Sequence, residues 1–387
     1  MKKLSIVIPT KDRVEYLTIC LKSLLEINSE DFEIVIQDNS NDNREITSFL
    51  RELNDERLIY HYNSEQLSVI ENCDLGIKNS IGSYVTLLGD DDGVTHDIMS
   101  AVDWMESNNF DALTSSKPIY IWPDTSRQSN SFTVDLAGKL VINSFNNTYR
   151  IIDPNKERQK VLSIGATSLL LLPKLYHGIV RRDVLENIFK TSGSYFPGPS
   201  PDMANAIATS VFSKSYVYVD YPIFVSGKGA KSTSGMGLAK KHTGEIENQK
   251  FLPKETVKNW TEELPFFWSG QTIWAESAIQ SLNRVNRSTE MKCFNFDYLY
   301  SELFMYEFFW RDRINEKIKY SIKSSLKMIY YFVLIFNKRL FSYLKNFVRY
   351  RLNLNKEKTT SSQINNIQEC INFIMDKKLP SNKIWTK

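Results

Sequence analysis

Apolar positions over the first 115 residues come in two alternating rhythms. Leu4–Pro9 is an unbroken β-favouring run, the pattern of a strand buried on both faces. Val14–Glu26 then places Leu17, Leu21, Leu24 and Leu25 along one side at helical spacing. Glu33–Gln37 predicts a second strand, closed by the turn-rich stretch Asp38–Asn43, and Arg57–Tyr62 predicts a third. Leu67–Ser80 predicts a helix ended by a turn at Gly82, and Tyr84–Leu88 a fourth strand. Strands and helices alternating at this pace predict an α/β fold, a mostly parallel, Rossmann-like sheet flanked by helices. In such sheets ligands bind beyond the carboxyl ends of the strands.

The pattern is less regular further on. Leu175–Arg182 predicts a strand, with His177 either a contact to acceptor or phosphate or, the commoner case, a satisfied core or edge histidine, and Arg181 and Arg182 facing solvent at a helix start. Residues 202–212 predict a helix and Tyr216–Asp220 a strand. Val225–Gly237, with four glycines, two lysines and four hydroxyls, reads as a mobile loop able to wrap an anion. It lacks the strand-to-helix context and spacing of a P-loop. Residues 246–387 read as helices rich in Trp, Tyr, Phe and Lys, with a polar interruption at Lys356–Gln363 and a last short helix at Ile364–Met375.

Composition changes this picture in one place. The chain is 42% apolar and 24% charged, as a globular protein is. Its net charge of +3 hides an asymmetry: residues 314–356 hold ten Lys/Arg and one acid, leaving a net of −6 elsewhere. Drawn as a helix, Lys319, Lys323, Lys327, Lys338, Lys345 and Arg349 share an arc of roughly 120°. Ile322, Leu326, Ile329, Val333, Leu340, Leu344 and Phe347 crowd the adjoining arc. That pairing predicts an interfacial helix on an anionic membrane surface through residues 317–351. The competing reading is an apolar stripe packed on the rest of the protein. No nucleic-acid motif is present, so no nucleic acid is expected. No apolar run reaches the roughly 18–20 residues that span a bilayer, and the start of the chain lacks the pattern of a cleaved leader. The four cysteines, Cys20, Cys73, Cys293 and Cys370, are widely spaced, which fits a reducing, cytoplasmic setting. A peripheral position on the inner face of the cell membrane follows as the expected location.

The residues beyond the predicted strand ends are polar and mostly acidic: Thr10 to Arg13, Asp38, and the triplet Asp90-Asp91-Asp92. Three adjacent carboxylates repel one another. A hard divalent cation removes that penalty, since Mg²⁺ or Mn²⁺ takes one or two carboxylates plus phosphate oxygens. The alternative is a solvated turn, for which Asp92-Gly93 is suitable.

Three segments together carry a resemblance. Ser5–Arg13, Glu33–Ser40 and Gly82–Asp92 resemble, in order and separation, the signatures of family 2 glycosyltransferases with the GT-A fold. The departures are Asp12 where Asn is usual and Gln37 where an acid is common. The resemblance implies a domain over 1–245, its nucleotide-binding half over 1–100 and its acceptor half over 101–245, followed by a helical C-terminal region at 246–387. It also implies an enzyme of the inverting, metal-dependent kind, moving a sugar from a nucleotide-sugar, a UDP-linked one, to a glycan or lipid-linked oligosaccharide. The expected setting is bacterial surface polysaccharide such as capsule or O-antigen. In that pattern Asp38 meets the base, Pro9, Thr10, Asp12 and Arg13 the nucleoside region, and Asn72 frames the base. Asp90 and Asp91 hold the donor, while Mn²⁺ or Mg²⁺ falls on Asp91 or Asp92. Lys228 and Lys231 neutralise the diphosphate on a closing flap. For Asp38 a plain turn-forming role remains open.

Inversion needs a carboxylate to take the acceptor's proton. Asp202, in Phe196–Met203, matches the family's base at a helix start. Ser200 as N-cap, Pro201 at the first helical position and Asp202 favoured by the helix dipole would explain the same residues without catalysis. Two rival functions remain: a sugar nucleotidyltransferase, although Pro9–Arg13 supplies no Gly-rich loop, and a non-catalytic glycan- or membrane-binding protein on the same fold.

Overall fold

The computed structural model describes residues 2–125, 136–142, 145–232, 243–319, 321–351, 363–376 and 384–385. Its strands are β1 (Leu4–Thr10), β2 (Phe32–Asp38), β3 (Leu58–Tyr62), β4 (Tyr84–Leu87), β5 (Gly93–Val94) and β6 (Ala112–Ser115). They continue as β7 (Ile119–Ile121), β8 (Lys139–Val141), β9 (Tyr149–Ile151), β10 (Gly178–Arg181), β11 (Tyr216–Val219) and β12 (Phe224–Lys228). Eight of them form one mixed sheet, in the order β3-β2-β1-β4-β10-β6-β11-β9, and β5-β12-β7-β8 form a smaller one. The first four pair in parallel, while β10 runs antiparallel between β4 and β6. The parallel half of this α/β sheet is the one that the first 115 residues predict.

The early helices are α1 (Val14–Leu25), α2 (Arg44–Leu53), α3 (Val69–Lys78) and α4 (Ile98–Ser107). Leu17, Leu21 and Leu24 of α1 are buried against Ile6, Ile8, Ile34 and Ile36 of the sheet. A reciprocal capping box fixes the start of α3, with Ser68 bonded to the Glu71 N–H and the Glu71 carboxylate to the Ser68 N–H. Helix α2 is missing from the predicted elements, although Ile46, Phe49, Leu50 and Leu53 stand at helical spacing; Ile46 is buried, and Phe49 and Leu50 pack half-buried on the same core. The later helices are α5 (Pro154–Ser163), α6 (Arg182–Ser192), α7 (Pro201–Phe212), α8 (Gly270–Arg284), α9 (Phe296–Tyr306), α10 (Arg311–Lys317), α11 (Ile322–Arg351) and α12 (Ile367–Asp376).

Two expectations need correction. Only Gly178–Arg181 of the predicted strand 175–182 is regular, and its arginines do not face solvent. Arg181 bonds Asn109 and the Phe110 carbonyl, while Arg182 bonds the Gly82 carbonyl and Ser80. These contacts tie β10 to the segment before β6 and α6 to the turn before β4. The predicted mobile loop Val225–Gly237 is also partly ordered, because Phe224–Lys228 is the strand β12, held between β5 and β7. Residues 233–237 of that stretch lie outside the described residues.

The helical C-terminal region reaches back to the sheet. Ile367, Cys370, Ile371 and Ile374 of α12 share a core cluster with Tyr16, Tyr120, Trp122 and Val225. A Cβ on Gly93, the residue after the Asp triplet, would lie 2.7 Å from Ile367. Trp385 packs edge-on against Trp104 and Tyr221. No described helix is long and apolar enough to cross a membrane.

Candidate active site

The parallel register puts Thr10, at the end of β1, beside Asp38, at the end of β2. From there the chain turns sharply at Asp12, which holds the left-handed backbone (φ 54°). Its carboxylate accepts from the backbone and side-chain amides of Asn41, so Asp12 joins the loops after β1 and β2. Asp38 is buried, with one oxygen accepting the Ser40 N–H and the other the Tyr60 hydroxyl at 2.8 Å. Its first contact is the turn geometry; the second ties it to β3. Asn72 donates to the carbonyls of Thr10 and Gln37, and its buried Oδ1 has no partner. Pro9 lies one residue before the strand end.

The Asp triplet follows β4 and is buried throughout. Asp90 Oδ2 accepts from Thr10 Oγ1 at 2.7 Å and pairs with Arg13 Nε at 3.1 Å. Its Oδ1 is buried with no hydrogen-bond partner. Asp91 Oδ2 accepts the Gly229 N–H at 2.9 Å, and Oδ1 has Arg13 at 4.0 Å. Asp92 is the most heavily engaged. Oδ1 accepts the Gly227 N–H, and Oδ2 accepts the Gly89 N–H and the Tyr176 hydroxyl. Three short carboxylates can be buried together because β12 brings backbone donors to two of them. Gly227 is demanded by that approach, since a Cβ there would lie 1.7 Å from the Asp91 carbonyl oxygen. Trp122 Nε1 donates to the same carbonyl.

The electrostatics divide the triplet. Burial, only partly offset by Arg13 and Thr10, pushes Asp90 up to about 6. Burial and the two neighbouring carboxylates push Asp91 up to about 7. Burial would raise Asp92 too, but His177 and Tyr176 outweigh it and hold its carboxyl low. His177 Nε2 lies 2.8 Å from Asp92 Oδ2, off hydrogen-bond alignment, while Nδ1 lies 2.7 Å from the Lys117 ammonium. Burial pushes His177 down to about 4 against the pull of Asp92. With Lys117 donating to Nδ1, the proton of the neutral ring sits on Nε2, facing Asp92. His177 also holds a left-handed backbone (φ 55°).

These contacts test whether a divalent ion suits the residues present. Asp90 keeps a buried, unpartnered oxygen and Asp91 an oxygen whose cationic neighbour is 4.0 Å away, whereas both Asp92 oxygens are taken. No cluster of three His, Cys, Asp or Glu able to hold a metal occurs among the described residues. Two carboxylates with spare oxygens suit a Mg²⁺ or Mn²⁺ ion completed by phosphate oxygens, rather than a cage of protein ligands.

Asp202 is the second residue of α7, after Pro201. Ser200 stands at the N-cap but makes no side-chain cap bond. Burial raises the Asp202 carboxyl, while Lys174 and Lys117 work to lower it, and the charge of Asp92 also reaches it. The predicted base and the triplet therefore share one electrostatic neighbourhood, although they are 110 residues apart in sequence. Lys228 ends β12 and is partly buried, whereas Lys231 is exposed and paired with Glu15. Sequence reasoning misses Lys117, Lys174 and Tyr176. Each is a lone residue with no spacing pattern, and only the fold gathers them.

The comparisons bear on the region that carries this geometry. The family model for glycosyl transferase family 2 matches residues 5–173. An uncharacterised glycosyltransferase of Rickettsia conorii is 36% identical over 112 residues, covering 28% of this chain and 18% of its own. One of Rickettsia felis matches with the same identity and coverage. The matched stretch thus spans under a fifth of the length of these curated relatives. Among solved structures, S. aureus TarS 1–349 in complex with UDP-GlcNAc superposes with a TM-score of 0.46 at 14% identity, over 81% of this chain and 89% of that one. Residues 5–173 are thus similar to glycosyl transferase family 2.

Proposed function

We propose that this chain is an inverting glycosyltransferase that moves a sugar from a nucleotide-sugar, a UDP-sugar, to a hydroxyl of a glycan or lipid-linked acceptor in bacterial surface polysaccharide synthesis. One observation supports the reading: the charge of Asp92, in the buried triplet after β4, reaches the carboxyl of Asp202 at the start of α7. The nucleoside lies along Pro9, Thr10, Asp12, Arg13, Asp38 and Asn72. Arg13, tethered by Asp90, holds a fixed positive charge there: its burial works against that charge, and Asp90 and Asp91 more than restore it. A divalent ion held by Asp91, with Asp90 beside it, would stabilise the departing diphosphate as a Lewis acid. Asp92, bound by four protein groups, shapes the turn that presents the other two. Asp202 takes the acceptor proton, and burial raises its affinity for that proton.

The test is a panel of nucleotide-sugars incubated with the full chain and Mn²⁺, read by release of nucleoside diphosphate. One donor is expected to react, and EDTA is expected to stop it. No reaction with any donor, with or without acceptor glycans, would favour the non-catalytic alternative. Activation of a sugar phosphate by a nucleoside triphosphate would favour the nucleotidyltransferase.

The division at 245 and the peripheral location belong to the same proposal, and α11 supports the second. One side of α11 rests on α9 through Tyr331, stacked edge-on with Tyr298, and through buried Ile335. The rest of the predicted apolar arc stays out: Ile322 is 84% exposed and Leu326 64%. Phe341 is 70% exposed. The helix has no acidic residue in thirty positions. An apolar stripe beside a basic face suits the interfacial zone of an anionic leaflet, at about 1 kcal/mol for each Lys or Arg near the surface. The full chain is expected to sediment with phosphatidylserine vesicles at low salt, and Leu326→Ser/Ile329→Ser is expected to release it. Equal sedimentation of both proteins would sink the membrane assignment.

A further inference from the structure

We propose that the recess holding Lys117 and Lys174 receives an anionic group of the acceptor, a phosphate or a carboxylate. The inference rests on the transferase reading above and adds the chemical class of the acceptor.

A cavity of about 310 Å³ opens between the end of β6 and the segment before β10, lined by Ser116, Lys117, Leu172, Lys174, Tyr218 and Asp220 among others. Two ammonium groups thus share one recess. Neither has a carboxylate within ion-pair distance among the described residues; the polar contact of Lys117 is the imidazole nitrogen of His177, not an acid. The one acid on the wall is already committed. Asp220 accepts from Ser116 on one oxygen and from the Asn146 backbone and side chain on the other. Burial pushes Lys174 down to about 8, and the neighbouring Lys117 charge pushes the same way. The charge of Asp202 offsets this only in part, so two like charges in a partly desolvated recess gain from an anion that joins them.

What the two lysines reach identifies the occupant. Both lysines act on Asp202, the proposed base, so an anion between them would hold a hydroxyl-bearing neighbour beside that carboxylate. The donor's base and ribose lie instead at the ends of β1 and β2. Backbone phosphodiesters and uronic-acid carboxylates both meet this description, and the recess recognises what they share, a negatively charged oxygen cluster near a free hydroxyl.

The experiment uses the full chain saturated with UDP and Mn²⁺, so that the diphosphate subsite is filled. Glycerol 3-phosphate, glucuronate and inorganic phosphate are then titrated, with the melting temperature as readout. Glycerol 3-phosphate or glucuronate is expected to raise it further, and whichever does so names the source. Lys174→Gln is expected to abolish that added shift, Lys174→Arg to keep it, and both to retain stabilisation by UDP. Stabilisation by inorganic phosphate alone would overturn the acceptor assignment. So would anion binding that survives in Lys174→Gln, or anions that act only when UDP is absent, which would place the lysines on the donor. Unstabilised wild type in UDP and Mn²⁺ would sink the transferase reading itself. Intact UDP binding without any anion effect would sink only this proposal.

Discussion

Asp202→Asn is expected to give a folded protein that binds its donor as the wild type does and turns over about 10²–10⁴-fold more slowly, the usual share of a positioned general base. The amide keeps the shape and the place in α7 but cannot accept a proton. Because burial raises the Asp202 carboxyl, the rate of the wild type is expected to climb with pH through a limb above the ordinary carboxylate range. That limb should vanish in the variant. The rival role is structural. An acid in the first turn of a helix contributes about 1 kcal/mol at most when it caps or meets the dipole. If Asp202→Asn lost melting temperature on that scale and kept its turnover, the helix-start reading would replace the catalytic one. The absence of a side-chain cap bond from Ser200 sharpens the contrast, since the turn already forms without one.

The second large effect is expected at Asp91. Its carboxyl titrates at about 7 and that of Asp90 at about 6, both above their unfolded values. Stability from the protonated pair is therefore full in acid and lost as pH rises through 6 and 7. A divalent ion competes with those protons, so Mn²⁺ should stabilise the protein little at pH 5 and strongly at pH 8. Asp91→Asn removes one of the two charges. The metal-free variant is expected to melt higher than the wild type at pH 8, to lose the Mn²⁺ effect, and to lose transfer by orders of magnitude. Thermal melts across pH with and without Mn²⁺, beside a transfer assay, check all three. Full activity in this variant, or wild-type activity in excess EDTA, would remove the metal from the triplet.

The legible parts of this chain are those where one physical demand repeats along the sequence. β1, β2 and β4 are buried on both faces, so they read as continuous apolar runs, and the acids after them stand out by contrast. β12 was hidden for the opposite reason. Gly-Lys-Gly-Ala has the composition of a loop, yet its glycines serve a close approach to the triplet rather than mobility. Helix α2 was legible but passed over: Ile46, Phe49, Leu50 and Leu53 stand at helical spacing just after the turn-rich Asp38–Asn43. The acceptor side was least legible. His177 read as a core histidine, and it is buried, but its bridge from Lys117 to Asp92 depends on residues 60 and 85 positions away.

The helix α12 lies over Gly93, at the turn that holds the three acids. During synthesis that helix leaves the ribosome about 270 residues after the turn it covers, an interval on the order of 15–60 s at roughly 5–20 residues per second. For that time the turn and the apolar face of Tyr120, Trp122 and Val225 must stay uncovered in an otherwise foldable half-molecule. Its maturation in the cell is thus set by a late arrival, and nascent chains stalled before residue 364 would be the forms most in need of a chaperone.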